Sequence, residues 1–431
     1  MSRSKIIINK VAVGAQNIAY DFSCEGAVAE AFAGCEQLTV DYSEDISQTP
    51  PGIAVIPLVA NLLPIAWVYD AELIVPELDK DFYDNLPEIK QGFVGMYPKV
   101  SFGGQVITER LVAHTAPGKQ RQTALFFSGG VDATSSLITM LKAGDTPRLV
   151  TLWGADVGLD DTAGWQEKAT HTKTVAAQCG LAHSFITTTF RTFLHESVLD
   201  NKVQARAGDM WWHGFQHGIG IIGHGAPLVY KYQLHELHIA ATFVEGNTAP
   251  CASDPTIDEH VVIAGCRTVH NGYDLLRQRK VENICQFMSE RDDITQLPIK
   301  VCWMSRGAKN CGHCEKCMRT ACEFLAEGAD LRRYAMEQFD GDFARNFVEK
   351  EFWMTENLRA DWTGAQTRLR ELRPTPARPQ DDIDWLLNID FAKLNTGFRK
   401  RYKRSIFVAN QWLYKVTPRS LKQVLKKVMG R

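Results

Sequence analysis

The stretch from Thr123 to Lys142 constrains this chain more than any other. A short apolar strand, Thr123 to Phe127, runs through Ser128-Gly129-Gly130-Val131 into a helix, Asp132 to Lys142, that Gly144 closes. The alternation then repeats. A second strand spans Arg148 to Trp153 and a second helix Thr162 to Cys179, closed by Gly180; further strands are expected at Ser184 to Thr187, Leu237 to Phe243 and His260 to Ala264. Strands separated by helices of this length pair in parallel, because a crossover helix is what returns the chain to the same end of the sheet, and the helices then cover both faces. Sheets of this kind bind ligands beyond the carboxyl ends of their strands. The expected fold class is α/β with a parallel sheet, and the segment after Phe127 falls where a ligand would sit.

The residue types of that segment suit an anion. Gly129 and Gly130 let the backbone approach it, and the helix that follows points its first N–H groups at it with the positive end of the helix dipole behind them. Hydroxyls on Ser128, Thr134 and Ser135 add donors. Asp132 repels phosphate, so its expected roles are holding Mg²⁺ or bracing the loop as the helix N-cap. A strand-to-helix turn with two glycines can also be purely structural; the flanking strand and helix favour phosphate binding.

At 431 residues the chain exceeds the roughly 250 to 300 at which a single core stops growing. Three parts are expected: residues 1–117 as an α+β domain, 118–340 as the domain that carries the phosphate loop, and 341–431 as a helical extension. The first part carries strand-like runs at Lys5 to Val13, Leu38 to Tyr42 and Leu73 to Val75, and an expected hairpin of Val100-Ser101-Phe102 with Gln105-Val106-Ile107 across Gly103-Gly104. The apolar run Ile53 to Tyr69 is broken by Pro57, Asn61 and Pro64 and falls short of the about 20 residues that cross a bilayer, so it reads as core. Ile6-Ile7-Ile8 is too short for the apolar region of a secretory leader, which makes a cytoplasmic location the expectation.

Charge is concentrated at one end. Phe391 to Arg431 holds 12 of the 48 basic residues and no acidic one, which leaves 36 basic against 50 acidic elsewhere, a balance of −14. After a proline-rich break at Arg373 to Pro379, Thr417 and Pro418 can start a last helix with Leu421, Val424, Leu425 and Val428 on one face and Lys422, Lys426 and Lys427 beside it. Such a helix either packs on the acidic remainder of its own chain or docks on an anionic membrane surface or an acidic partner, which would put the protein at the inner face of the membrane. No recognised nucleic-acid motif accompanies it, so nucleic acid is not expected as a partner.

Four of the 11 cysteines form a pattern: Cys302, Cys311, Cys314 and Cys317, spaced Cys-x8-Cys-x2-Cys-x2-Cys. Four thiolates suit tetrahedral zinc, and the x2 spacings let a tight turn present neighbouring sulfurs to one ion. An iron–sulfur cluster takes the same ligands, but no radical motif or redox partner accompanies these. A closed shell of four thiolates makes the zinc structural and His313 a bystander. The other seven cysteines, Cys251 among them, are scattered and read as small buried apolar residues. His213, His217, His224 and His235 crowd a glycine-rich stretch where one could act as acid or base, and no spacing selects it.

Ser128, Gly129, Gly130, Asp132 and Thr134 match the Ser-Gly-Gly-x-Asp-Ser-[Ser/Thr] loop, and the chain so resembles the PP-loop ATP pyrophosphatases, with Ala133 in place of the loop's first serine after the aspartate. The cysteine loop, Cys-Gly-His-Cys-Glu-Lys-Cys-Met-Arg-Thr, resembles that of the 7-cyano-7-deazaguanine synthases, and a related arrangement occurs in the ATP-dependent epimerase of UDP-N-acetylmuramoyl-L-alanyl-L-glutamate. Together the likeness covers about residues 123 to 328 and neither end. It implies a HUP-type nucleotide-binding fold, ATP with Mg²⁺ on the loop, catalytic roles for Ser128 and Asp132, and the adenine against the end of the second strand at Trp153. A lone tryptophan at a strand end more often packs than recognises a base. Lys280, in Arg279-Lys280-Val281-Glu282, resembles a Lys-x-Glu element of such enzymes and would neutralise phosphate, unless it lies on a solvated helix face. The synthases' Tyr-Pro-Asp-Cys-Arg-Pro-like segment corresponds to Ala249-Pro250-Cys251-Ala252-Ser253-Asp254-Pro255, which lacks the arginine and leaves Asp254 as the candidate substrate contact.

The implied reaction is attack of a small-molecule or peptide carboxylate on the α-phosphorus of ATP, release of pyrophosphate, and displacement of AMP by ammonia, an amine or another nucleophile. No cysteine nucleophile is required. An epimerase that activates a carboxylate, and a non-catalytic nucleotide-binding or partner-modifying module, are the alternatives.

Overall fold

Ile6 and Ile8 are buried while their neighbours are part-exposed, and this alternation makes Lys5–Val13 the first strand, β1. β2, Asn17–Glu25, runs back antiparallel to it with Lys5 opposite Glu25 and a bulge between Ile8 and Lys10. The remaining strands are β3 (Thr39–Tyr42), β4 (Glu72–Asp79), β5 (Gln105–Val112), β6 (Thr123–Phe126), β7 (Arg148–Trp153), β8 (His183–Thr188), β9 (Glu236–Ala240), β10 (Val262–Ile263) and β11 (Cys266–Asn271). They form one sheet in the order β10-β11-β9-β6-β7-β8-β3-β2-β1-β4-β5, in this computed structural model, which describes residues 3–114, 118, 120–246, 249–302, 304, 309–372 and 383–396.

The run β11-β9-β6-β7-β8 is parallel throughout, as the alternation of strands and helices requires. Every residue of β6 is buried, the pattern of a central strand covered on both faces. The helices Val131–Lys142 and Thr162–Gln178 follow β6 and β7. Ile56–Val68 is the buried helix expected of that apolar run, with Ile56 to Trp67 all buried. Pro57 sits in its first turn, where no intrahelical N–H is needed; Pro64 lies inside it. Asn61 is tolerated there because its amide is paired, with Pro57 O at 2.9 Å and Gln216 Nε2 at 2.9 Å.

Two sequence expectations fail in instructive ways. Gly103-Gly104 does not turn a hairpin: β5 begins at Gln105 and pairs in parallel with β4, Gln105 opposite Glu72. Gly104 instead has φ +64 and donates its N–H to Asp70 Oδ1 at 2.7 Å, and a Cβ on it would lie 2.6 Å from the carbonyl oxygens of Ala66 and Ala71. The pair allows a close backbone crossing. Likewise, the strand expected at His260 to Ala264 is only the two-residue, antiparallel β10; Ala264 and Gly265, at φ 47 and φ 77, turn the chain into β11, which supplies the parallel neighbour of β9.

Because β3 pairs with β8, Val40 opposite Thr188, one sheet runs through both the 1–117 and the 118–340 segments. The compact units are Met1–Asn310 with Arg333–Ala335, and Cys311–Arg332 with Met336–Arg431. In the second, the helices Glu315–Ala326, Gly341–Lys350 and Glu356–Leu372 bury Met318, Cys322, Val348, Trp362 and Leu369 together. Arg319 is buried among Glu315, Glu323 and Asp361, at 2.8, 3.4 and 2.6 Å. The Arg373–Pro379 break and the basic tail helix lie outside the described residues. Among the described residues no helix is long and apolar enough to cross a membrane.

Candidate phosphate loop and metal centre

The loop leaves the carboxyl end of β6 and is pinned on both sides. Phe127 N–H donates to Val150 O at 2.8 Å, Thr151 Oγ1 donates to Phe127 O at 2.8 Å, and Lys300 N–H donates to Gly129 O at 2.9 Å. Ser128 is exposed at the turn and accepts from Gly130 N–H at 3.4 Å. Gly129 has φ +75, and a Cβ there would lie 2.5 Å from His171 Nε2, so both conformation and space select glycine. Gly130 is the helix N-cap and contributes no side-chain cap.

Asp132 therefore does not cap the helix. It stands in the first turn, where an acidic group suits the dipole, and is ion-paired instead: Lys280 Nζ lies 3.1 Å from its Oδ1 and Arg277 Nη1 3.5 Å from its Oδ2. Lys280 also donates to Ala241 O at 2.5 Å, just past the end of β9. Its side chain is 3% exposed, so it is not on a solvated helix face. Tertiary packing of the Arg277–Ser289 helix against the Val131–Lys142 helix brings these charges together. Ser135 faces that same helix, its Oγ accepting from Asn283 Nδ2 at 3.3 Å, while Thr134 is buried with Oγ1 unpartnered.

His171 and Lys168 enter the site without having been singled out in the sequence. They stand one turn apart on the Thr162–Gln178 helix, a spacing that puts them on one face, though nothing in the sequence ties that face to Gly129. Burial, with Lys168 adding to it, lowers His171 to about 4, so it is neutral at pH 7; its Nε2 is buried without a hydrogen-bond partner. Lys168 lies 3.7 Å from Asp156.

Trp153 and Asp254, the expected adenine and substrate contacts, both have partners within the protein. Trp153 stacks on Trp165, ring centroids 5.2 Å apart and planes 4° from parallel, and its Nε1 donates to Gly158 O at 3.0 Å. Asp254 caps the short Pro255–Asp258 helix, its Oδ1 accepting from Thr256 N–H at 3.0 Å and Thr256 Oγ1 at 2.6 Å. That carboxylate oxygen caps the turn.

The four cysteines do converge. Among the described residues, the sulfurs of Cys302, Cys311, Cys314 and Cys317 lie within 4.8 Å of one another, with Cys311 and Cys317 3.9 Å apart. Four sulfurs at about 2.3 Å from a tetrahedral zinc ion stand about 3.8 Å apart, so the donor set and spacing fit the metal. Cys314 caps the Glu315–Ala326 helix, its sulfur accepting from Cys317 N–H at 3.4 Å, and Cys311 Sγ accepts from His313 and Cys314 N–H at 3.4 and 3.3 Å. Amide donors of this kind favour thiolate sulfur. Gly312 permits the turn, with φ +73 and Gln338 O only 2.2 Å from where a Cβ would be. No protein-family model matches the chain, and no curated protein matches it. What the arrangement offers chemically is a four-thiolate group that can hold a metal such as zinc, and a glycine loop on a helix start with buried cations behind it.

Proposed function

We propose that the chain is an ATP-dependent synthetase of the PP-loop type, which adenylates a small-molecule or peptide carboxylate and releases pyrophosphate. The observation that carries this reading is the glycine loop at the carboxyl end of the central strand β6, with the buried cation Lys280 held against its helix by Asp132. The loop amides and the helix start would receive the β- and γ-phosphates, and negative charge growing on the leaving pyrophosphate would be stabilised by dipoles already in place. Asp132 is engaged by both Lys280 and Arg277 and acts in this reading as their brace, not as a Mg²⁺ ligand. Four thiolates leave zinc no open position, so the metal's contribution is folding free energy.

The test is calorimetric titration of the zinc-loaded full chain with ATP, followed by assay of AMP and pyrophosphate over a panel of carboxylates. Binding, with AMP and pyrophosphate formed in equal amounts on one class of carboxylate, is the expected result. A chain that binds no ATP overturns the assignment.

A further inference from the structure

A second cluster forms where the segment after β9 meets residues 209–217. Asp209 is held by three donors: the Tyr97 hydroxyl at 2.8 Å, the Met210 amide at 2.7 Å, and the His213 ring, whose Nδ1 lies 2.8 Å from Asp209 Oδ2. A carboxylate only accepts, so Nδ1 carries the proton, and the other partner of the His213 side chain is the Cys251 thiol. The backbone keeps the two segments in register. Ala252 N–H donates to His213 O at 2.9 Å, Cys251 Sγ lies 3.7 Å from that same oxygen, and Ser253 N–H donates to the sulfur at 3.4 Å.

Local structure is built around this contact. His213 stands in a π-helical turn, Trp212–Gln216, a rare conformation concentrated at functional sites. Gly214 allows the approach of Tyr97 and Asp209, since a Cβ on it would lie 2.7 Å from the Tyr97 oxygen and 3.0 Å from Asp209 Oδ2. His217 lies beside the thiol as well, and its Nδ1 is buried with no hydrogen-bond partner. Burial by itself raises Cys251, yet hydrogen bonds from His213 and His217 outweigh it and bring the thiol down to about 7. His213 is raised to about 10 by its bonds to Asp209 and Cys251. Part-buried Cys24 and buried Cys266, which have no histidine beside them, are instead pushed up by desolvation to about 12.

We propose that Asp209, His213 and Cys251 form a nucleophilic relay that accepts an activated acyl group on the Cys251 sulfur. The thiol proton rests on His213, which Asp209 orients and neutralises, and His217 adds a second donor. Sγ attacks the acyl carbonyl carbon and the C–S bond forms. The bond from that carbon to the leaving oxygen breaks, and the oxygen departs with the electron pair. An amine then displaces the sulfur, which returns as thiolate while the amine's proton passes to water; no oxidant or reductant is needed. Cys251 is 2% exposed beneath a His213 side chain that is 48% exposed, which restricts the donor to small acyl groups entering along the imidazole. That the donor is the acyl-adenylate rests on the function proposed above, in which case AMP leaves. Cys251 follows β9 and the phosphate loop follows β6, its parallel neighbour.

The test needs no ATP. The full chain is incubated with p-nitrophenyl acetate from pH 5.5 to 9.5, and acetyl adducts are assigned by peptide mass spectrometry, with iodoacetamide as an independent probe of the thiol. Cys251 is expected to acylate faster than the other cysteines outside the metal group, with a rate midpoint near pH 7. His213→Gln should slow it about tenfold at pH 7 and move the midpoint toward the roughly 8.5 of an ordinary thiol. Asp209→Asn should do the same in part, and it carries the test if the first variant does not fold. Acylation of Cys251 no faster than of the other cysteines, or a pH profile unchanged in a folded variant, overturns the relay. Failure of ATP binding with the relay intact would overturn only the adenylate donor.

Discussion

Lys280 Nζ lies 3.1 Å from Asp132 Oδ1 and 2.5 Å from Ala241 O, so one buried cation joins the helix after β6, the exit of β9 and the Arg277–Ser289 helix. Breaking a buried pair by removing one partner costs about 3 to 5 kcal/mol because the other charge is stranded. Asp132 is part-exposed at 23% and keeps Arg277, so Lys280→Met should cost less, roughly 2 kcal/mol. Urea unfolding measures this. Adding Asp132→Asn should cost less than the sum of the single changes, and ATP affinity should fall in Lys280→Met; additive single effects would show that the two charges are not coupled.

At Gly129 two constraints act together, the left-handed φ of +75 and the His171 ring 2.5 Å from a would-be Cβ. Gly129→Ala should destabilise the chain by about 1 to 2 kcal/mol from backbone conformation alone, with the clash adding to that. His171→Ala in the same chain should recover the clash but not the conformational part. Thermal melts of the two single variants and the double variant separate the contributions, and nucleotide binding should be lost in both variants that carry Gly129→Ala.

Protein purified without added metal should contain about one zinc per chain by elemental analysis, and a chelator should lower its thermal midpoint. Cys314→Ser should do so more strongly, since Cys314 is also the cap of the Glu315–Ala326 helix. An iron–sulfur absorbance band would replace zinc with a cluster.

His224 sets a pH dependence. Its Nδ1 meets Gly220 O at 2.6 Å and so carries the proton, and its Nε2, 2.9 Å from Thr188 Oγ1, accepts the threonine's hydroxyl; that hydroxyl in turn accepts from Phe190 N–H at 3.2 Å. Full burial lowers His224 to about 4. The unfolded chain takes up this proton near pH 6.5 and the folded chain only near pH 4, so the stabilisation is complete above about 6.5 and is lost as pH falls toward 4, by roughly 3 kcal/mol in all. Urea midpoints at pH 7.5 and pH 5 should differ more for the wild type than for His224→Gln, which cannot take up that proton.

The α/β class, the parallel run and the loop after Phe127 were legible because each rests on neighbours in the chain: an apolar strand, two glycines, a helix. β1, β7 and the Val131–Lys142 helix fall within a residue of their expected bounds for that reason. Convergence of the cysteines was legible too, since x2 spacing places three sulfurs in one turn. β2 was missed, and β11 was misplaced by a few residues, because strand pairing depends on which strands come alongside.

By itself the sequence determined local conformation and local chemistry: where helices begin, where glycine is needed, which cysteines can share an ion. Only the tertiary structure decided which distant groups meet. It turned Asp132 from a cap into the partner of Lys280, 148 positions away, stacked Trp153 on Trp165, and set His171 against Gly129. Of four histidines crowded together in the chain it set His213 between Asp209 and Cys251. The physical reason is that burial and charge partners, which shift a titratable group by several units, are properties of the packed surroundings and have no period in the chain.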